Sequence, residues 1–168
     1  MTITSDDREN NSIIVHGGNG SAGIGEAYNK ACGNIIIEKV TVKAYGSYSD
    51  QSLAPGIGGS TLKSFGNITI KNATVTAYAD YSSGNFVHYA IGNSRTYTSS
   101  ENEGSSTITI DNSEIYAYRG TNYGNEYIKS NNDPKITNST IHKFTMTGKE
   151  EFTEDGSDTY DQNGAVIE

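Results

Sequence analysis

Tyr45, Tyr78, Tyr118 and Phe144 occupy one recurring position of this chain. Phenol rings repeated at a fixed place can do two kinds of chemistry. Presented outward, they offer flat apolar faces and hydroxyls that suit sugar rings or a partner protein. Stacked on one another, they only reinforce the pairing of neighbouring strands. Tyr116 lies two residues before Tyr118, and Tyr48, Tyr81 and Tyr123 thicken the aromatic neighbourhood. The candidate ligand-binding residues are therefore Tyr45, Tyr78, Tyr118, Phe144 and Tyr116.

Catalysis needs different side chains. Glycan cleavage calls for clustered carboxylates, or for a carboxylate-held Ca²⁺ beside a basic residue. In register, Glu38 and Asp111 share a column but Lys71 separates them. Glu114 beside His142 is the one acid–base neighbourhood, and it reads as a surface contact. His16 and His88 have no ligand spacing. Asp155, Asp158 and Asp161 recur at intervals of three, which is not the alternation of an EF-hand loop. The Gly-Ile-Gly segments lack the strand–loop–helix context and the lysine of a phosphate loop. No catalytic residue, metal or cofactor is expected.

The elements that must position these aromatics are written as a repeated phrase. Residues 33–46 (GNIIIEKVTVKAYG), 66–79 (GNITIKNATVTAYA) and 106–119 (STITIDNSEIYAYR) align, with a degraded copy at 132–144 (NDPKITNSTIHKF). Ile35 to Ile68, Val42 to Val75 and Tyr45 to Tyr78 are each 33 residues apart. Tyr78 to Tyr118 is 40, the excess falling in the polar insertion 93–105, and Ile115 to Ile141 is 26. Constant strands joined by elastic loops are the mark of stacked units.

Parity sets the geometry within each unit. Ile35 and Ile37 alternate with Ile36, and Val42 and Ala44 alternate with Lys43, each a strand period of two. The step from Ile37 to Val40 is three, so the backbone must bend at Lys39, Asn72, Asn112 and Asn138. Asn tolerates the left-handed conformation such a corner requires, and stacked Asn side chains can form amide ladders. With the glycine-flanked Ile24, Ile57, Ile91 and, more weakly, Ile128, each unit predicts three short strands and the molecule three parallel sheets. The predicted core is Ile24, Ile57 and Ile91; Ile35, Ile37, Ile68, Ile70, Ile108 and Ile110; Val42, Val75, Ile115 and Ile141; and Ala44, Ala77 and Ala117. This is an all-β fold: a right-handed parallel β-helix, or β-solenoid, of about four to five rungs with loop insertions.

Composition agrees. Of 168 residues 33% are hydrophobic, with 19 Gly, 12 Tyr and no Trp, enough for a thin core repeated along an axis but not for a thick one. Net charge is −8, yet residues 149–168 hold seven acids and one base, so the body is near neutral. Without a basic patch, nucleic acid is a poor partner. No apolar run reaches membrane-spanning length, so membrane insertion is not expected. The N-terminus lacks the basic-then-apolar form of a signal peptide. The single cysteine, Cys32, is read as a small buried residue. Residues 1–148 are assigned to the β-helix and 149–168 to an acidic tail or cap, with a solvated linker as the reading of its middle and Phe152, Val166 and Ile167 able to fold back. The link between the first two strands, residues 5–11, is polar and predicted to be exposed.

The recurrence of GIGG, GNITI and ATVTAY resembles the glycine-rich parallel β-helix repeats of bacterial cell-surface and secreted proteins. The resemblance covers residues 22 to about 144. The chain departs from the cleaner arrays in its long third-unit insertion and in Lys143, which stands where a small core residue is expected and suggests a polar end cap. The resemblance implies a non-enzymatic surface or secreted binding module for a carbohydrate or protein, or a segment of an adhesin-like solenoid. The alternatives are a polysaccharide lyase or hydrolase on the same scaffold, and a purely structural spacer. It also implies an extracellular or cell-surface location, and open sheet edges make self-association a further expectation.

Overall fold

In the computed structural model the fold is described for residues 1–27, 30, 32–47, 54–59, 66–81, 86–87, 89–93, 95–96, 106–120, 126–148 and 150–167. Every regular element among them is a strand. Much of the loops 47–54, 81–88 and 93–105, and with them Tyr48, His88 and Tyr123, lies outside the described residues.

Successive units supply strands to three sheets, and among the described residues the first unit contributes to the first two sheets alone. The first sheet runs β1 (Thr2–Thr4), β4 (Ile35–Glu38), β7 (Ile68–Lys71), β12 (Ile108–Asp111) and β15 (Lys135–Thr137), all parallel. The second runs β2 (Ser12–His16), β5 (Thr41–Tyr45), β8 (Thr74–Tyr78), β13 (Glu114–Arg119) and β16 (Ser139–Met146), also parallel. The third is β3 (Ile24–Gly25), β6 (Ile57–Gly59), β10 (Ile91–Asn93) and β14 (Ile128–Lys129). A short antiparallel ribbon, β9 (Phe86–Val87) with β11 (Arg95–Thr96), flanks β10 at the start of the polar insertion. The repeats pair in the register the sequence predicts: Ile35 with Ile68, Ile68 with Ile108, Tyr45 with Tyr78.

The interior is one cluster drawn from all three sheets. Ile35, Ile37, Ile68, Ile70, Ile108 and Ile110 meet Val42, Val75 and Ile115, the alanines 44, 77 and 117, and the isoleucines 24, 57 and 91. All of these are buried. The alanines fit because three facing rows of large side chains would overfill so narrow a space. Cys32 is half-buried against the edge of this cluster.

The corners behave as the three-residue step requires. Lys39, Asn72, Asn112 and Asn138 have φ of 54°, 50°, 46° and 48°. Asn112 Nδ2 donates to Asn72 Oδ1 at 2.6 Å, one step of an amide ladder. The next step is diverted: Asn138 Nδ2 donates to Asp111 Oδ1 at 3.2 Å. Lys39 carries the same conformation without a side chain suited to it. Lys39→Asn is expected to stabilise the fold by roughly 0.5–1 kcal/mol, read as a higher denaturation midpoint with unchanged slope; an unchanged or lower midpoint counts against the corner being under strain.

Just past each corner one residue turns inward: Val40, Ala73, Ser113 and Ser139. Ser113 Oγ accepts from Ala73 N at 3.2 Å and donates to Asp111 O at 2.8 Å. Ser139 Oγ accepts from Ser113 N at 3.0 Å and donates to Thr137 O at 2.6 Å. Both hydroxyls are buried and stitch one unit to the next at the bend, where the strand ladder is interrupted.

Two sequence expectations are corrected. The tail is not a solvated linker: β17 (Phe152–Tyr160) lies antiparallel on β16 as the sixth strand of the second sheet. Its contact is sealed by Lys143 Nζ on Asp158 Oδ1 at 2.7 Å, so the lysine in the alanine column is met by an acid from the closing strand. Nor is the link at 5–11 wholly exposed. Arg8 folds over the second sheet and donates to Thr74 Oγ1 from Nε at 3.0 Å and Nη2 at 2.8 Å, while its carbonyl accepts from Thr41 Oγ1 at 2.9 Å.

Candidate functional site

The second sheet carries the aromatic column on its outer face. Alternation along β5 and β8 puts Val42, Ala44, Val75 and Ala77 inward and Tyr45 and Tyr78 outward. Parallel in-register pairing then places each ring over the next. Tyr45 and Tyr78 stack with centroids 4.4 Å apart and planes 2° apart. Tyr78 and Tyr118 stack at 4.3 Å and 23°, and Tyr118 and Phe144 at 4.4 Å and 9°.

The column is longer than the sequence suggested. His16, at the end of β2, pairs with Tyr45 and stacks on it at 4.5 Å and 5°. A signal existed: Val15-His16-Gly17 aligns with Ala44-Tyr45-Gly46. At the other end Phe152 of β17 meets Tyr118 and Phe144 edge-on, at 5.1 and 5.5 Å.

This geometry changes what the column can offer. Rings stacked this closely cover one another's faces, so only edges and hydroxyls remain for a ligand. Burial also grades along it. His16 is exposed, Tyr45 and Tyr78 are half-buried, and Tyr118 and Phe144 fall to 8% and 9% exposure. Tyr118 and Phe144 form a second small core with Met146, against which Tyr78, Tyr81 and Tyr116 pack. The outward column is therefore not open along its whole length: the closing strand covers its far end. Burial, followed by the neighbouring Tyr118 and Tyr45 hydroxyls, pushes the Tyr78 phenol well above its ordinary pKa.

Tyr116 belongs to a different column. It stacks on His142 at 4.5 Å, and both reach Glu114: Tyr116 Oη donates to Oε1 at 2.9 Å and His142 Nε2 lies 3.2 Å from the same oxygen. The structure brings together the one acid–base pair the sequence singled out, but on an open sheet face. Asp111 is held elsewhere, at its corner, by Thr137 and Asn138. Among the described residues no three His, Cys, Asp or Glu side chains come together as a metal site.

Beside the half-buried stretch of the ladder runs a groove of about 660 Å³. Tyr45, Tyr78 and Tyr118 line it, with His16 toward one end and Met146 and Phe152 toward the other. Asp80, Tyr81 and Glu150 also line it. Asp80 was not anticipated. Its Oδ2 is buried and has no hydrogen-bond partner among the described residues. Burial pushes this carboxyl up to about 6, against a smaller downward pull from the Tyr81 backbone N–H. A dipeptide such as Ala79-Asp80 after a strand looks like any polar turn, so nothing in the sequence marks it.

No known protein family, curated protein or solved structure matches the chain.

Proposed function

We propose that the chain is a right-handed parallel β-helix of about four to five stacked rungs that works as a non-enzymatic binding module of a surface or secreted protein, taking a polyhydroxylated ligand, a glycan, in the groove beside the aromatic ladder. Three parallel sheets, visited in the same order by the four units from β3 onward and joined by β1 and β2 in the first two, around one shared core, support the architecture. The groove carries the functional reading. Its volume of about 660 Å³ falls in the range of small-ligand sites, and it combines phenol hydroxyls with carboxylates over an apolar floor. Such a mixture hydrogen-bonds sugar hydroxyls without needing a free aromatic face. The extracellular or cell-surface location follows from the repeat resemblance alone.

Tyr78 is the residue on which to test this. Tyr78→Phe keeps the stack and removes one hydroxyl from the middle of the groove. On a glycan array followed by calorimetry it is expected to weaken the best ligand roughly five- to tenfold, with little loss of stability. An array on which no glycan binds, or a best ligand indifferent to Tyr78→Phe, removes the groove as the binding site.

One observation favours self-association as a second reading. Met1, Ile13, Ile14 and Ile36 are large, exposed apolar residues on or beside the first strands of the first two sheets, and Phe152, Val166 and Ile167 are exposed on the closing segment. Strands β1 and β2 are sheet edges. Exposed apolar edge strands invite pairing with another chain. Sedimentation velocity is expected to show concentration-dependent dimers that Ile14→Lys dissolves; a monomer at all concentrations for the unmodified chain disposes of this reading.

A further inference from the structure

We infer that the groove selects saccharides bearing a free amino group, the deacetylated hexosamine oligomers, over neutral and acidic ones. The inference rests on the glycan-binding reading and gives it a chemical class. Its basis is the charge of the lining. Among the described lining residues the formal charges are the carboxylates of Asp80 and Glu150; there is no lysine or arginine, and His16 sits at the exposed end of the ladder.

Asp80 is the informative member. A carboxylate with one oxygen out of water and without a partner costs folding free energy, because the charged form has lost hydration that nothing replaces. A cation in the groove offsets that cost by charge alone, without needing a hydrogen bond to the buried Oδ2. The attraction is strengthened by the apolar walls, which keep the local dielectric below that of water. An acidic sugar meets the opposite situation, two carboxylates and no compensating base among the described lining residues.

The aromatic residues do not supply this preference. In a stack, each ring gives its negatively polarised face to its neighbour and turns its positively polarised edge toward the groove. Cation–π attraction is therefore closed to a ligand beside the ladder. What the tyrosines offer an ammonium group is the hydroxyl oxygens as acceptors. Selection by carboxylate and positioning by hydroxyl are separate tasks, done by Asp80 and Glu150 on one hand and the ladder on the other.

A pair of ligands that differ at one substituent tests the charge. Oligomers of β-1,4-linked glucosamine and of its N-acetylated form share a backbone and differ at C2, where the first carries an ammonium group and the second a neutral, bulkier acetamide, and Asp80→Asn separates the charge from the bulk. By isothermal titration calorimetry at low ionic strength and near-neutral pH, where the Asp80 carboxyl is ionised, the amino form is expected to bind about tenfold tighter or more. Asp80→Asn, which keeps the shape of the side chain, is expected to bring that ratio toward one; Glu150→Gln, which can replace it if Asp80→Asn fails to fold, is expected to reduce the ratio less. Equal affinities, or a preference for the acetylated oligomer, overturn the amino-sugar inference and leave the glycan reading in place. Binding of neither oligomer, with no other glycan bound on the array, overturns both.

Discussion

Raising the pH from about 5 to about 8 is expected to lower the stability of this fold by roughly 2–3 kcal/mol, and Glu26→Gln is expected to abolish most of that loss. Glu26 follows β3, where its backbone N–H continues the ladder to Gly58 O at 3.0 Å. Its side chain is only 3% exposed. Oε1 accepts from Cys32 N at 2.6 Å, and Oε2 is buried with no hydrogen-bond partner among the described residues. Burial pushes the carboxyl up to about 7, against the downward pull of that one hydrogen bond. A pKa raised on folding means that the native state holds the proton more tightly than the unfolded chain. The stability it contributes is complete below the ordinary glutamate pKa and is lost as the pH rises through 7. Asp80, raised to about 6, acts in the same direction at slightly lower pH. On the acid side the sign reverses. Asp111 is lowered chiefly by the Thr137 hydroxyl, Asp7 by the Asn10 side chain and Asp161 by the Ala165 backbone N–H, so their contributions fade as the pH falls. The stability maximum is thus expected near pH 5. Urea unfolding of the unmodified chain and Glu26→Gln across this range checks it; parallel profiles would show that Glu26 is not the titrating group.

How far the sequence could be read depends on which physical rule dominated locally. The isoleucine, valine and alanine columns were legible because strand parity and the 33-residue spacing constrain them twice over. The corners were legible because a three-residue step between inward positions leaves no other geometry, and the left-handed φ values at Asn72, Asn112 and Asn138 follow. His16 was missed because in its unit the link 5–11 stands between β1 and β2 where the later units have a corner of one or two residues, so the phrase is interrupted. Strand β17 was missed for a different reason. FTEDGSDTY has its strand formers, Phe152, Thr153, Thr159 and Tyr160, only at its ends, around a Glu-Asp-Gly-Ser-Asp centre, and it becomes a strand because β16 presents an unpaired edge. Tertiary pairing outweighs propensity there. The same acids then make a poor template for a further chain, as charged edge strands do, with Gly156 at φ 102° and a register shift at Lys143/Phe144 adding irregularity. The aromatic column was legible as a column, but not its accessibility. Whether a ring face is free depends on inter-strand spacing and on Phe152, which arrives from the end of the chain.

Gly58→Ala is expected to cost more than about 4 kcal/mol and to leave little folded protein. Gly25, Gly58 and Gly92 stand in register in the third sheet with φ of 140°, 131° and 131°. That conformation is strained for any side chain. Space is the stricter constraint. A Cβ on Gly25 would lie 1.9 Å from Gly58 O, one on Gly58 2.0 Å from Gly92 O, and one on Gly92 1.9 Å from Lys129 O. The obstacle is each time the backbone of the next unit, which cannot swing aside as a side chain could. Lys129 continues the same register position, and there a large side chain is accepted. Strand β14 is the edge of its sheet. The glycine requirement therefore holds where another strand is stacked on the next side and ends where the stacking ends. Gly18→Ala is the matched control, since a Cβ there meets nothing within 4 Å and φ is not left-handed. Circular dichroism and thermal unfolding of both variants decide the matter. A Gly58→Ala protein that melts within a few degrees of the unmodified chain would mean that the units are not packed backbone against backbone along this column.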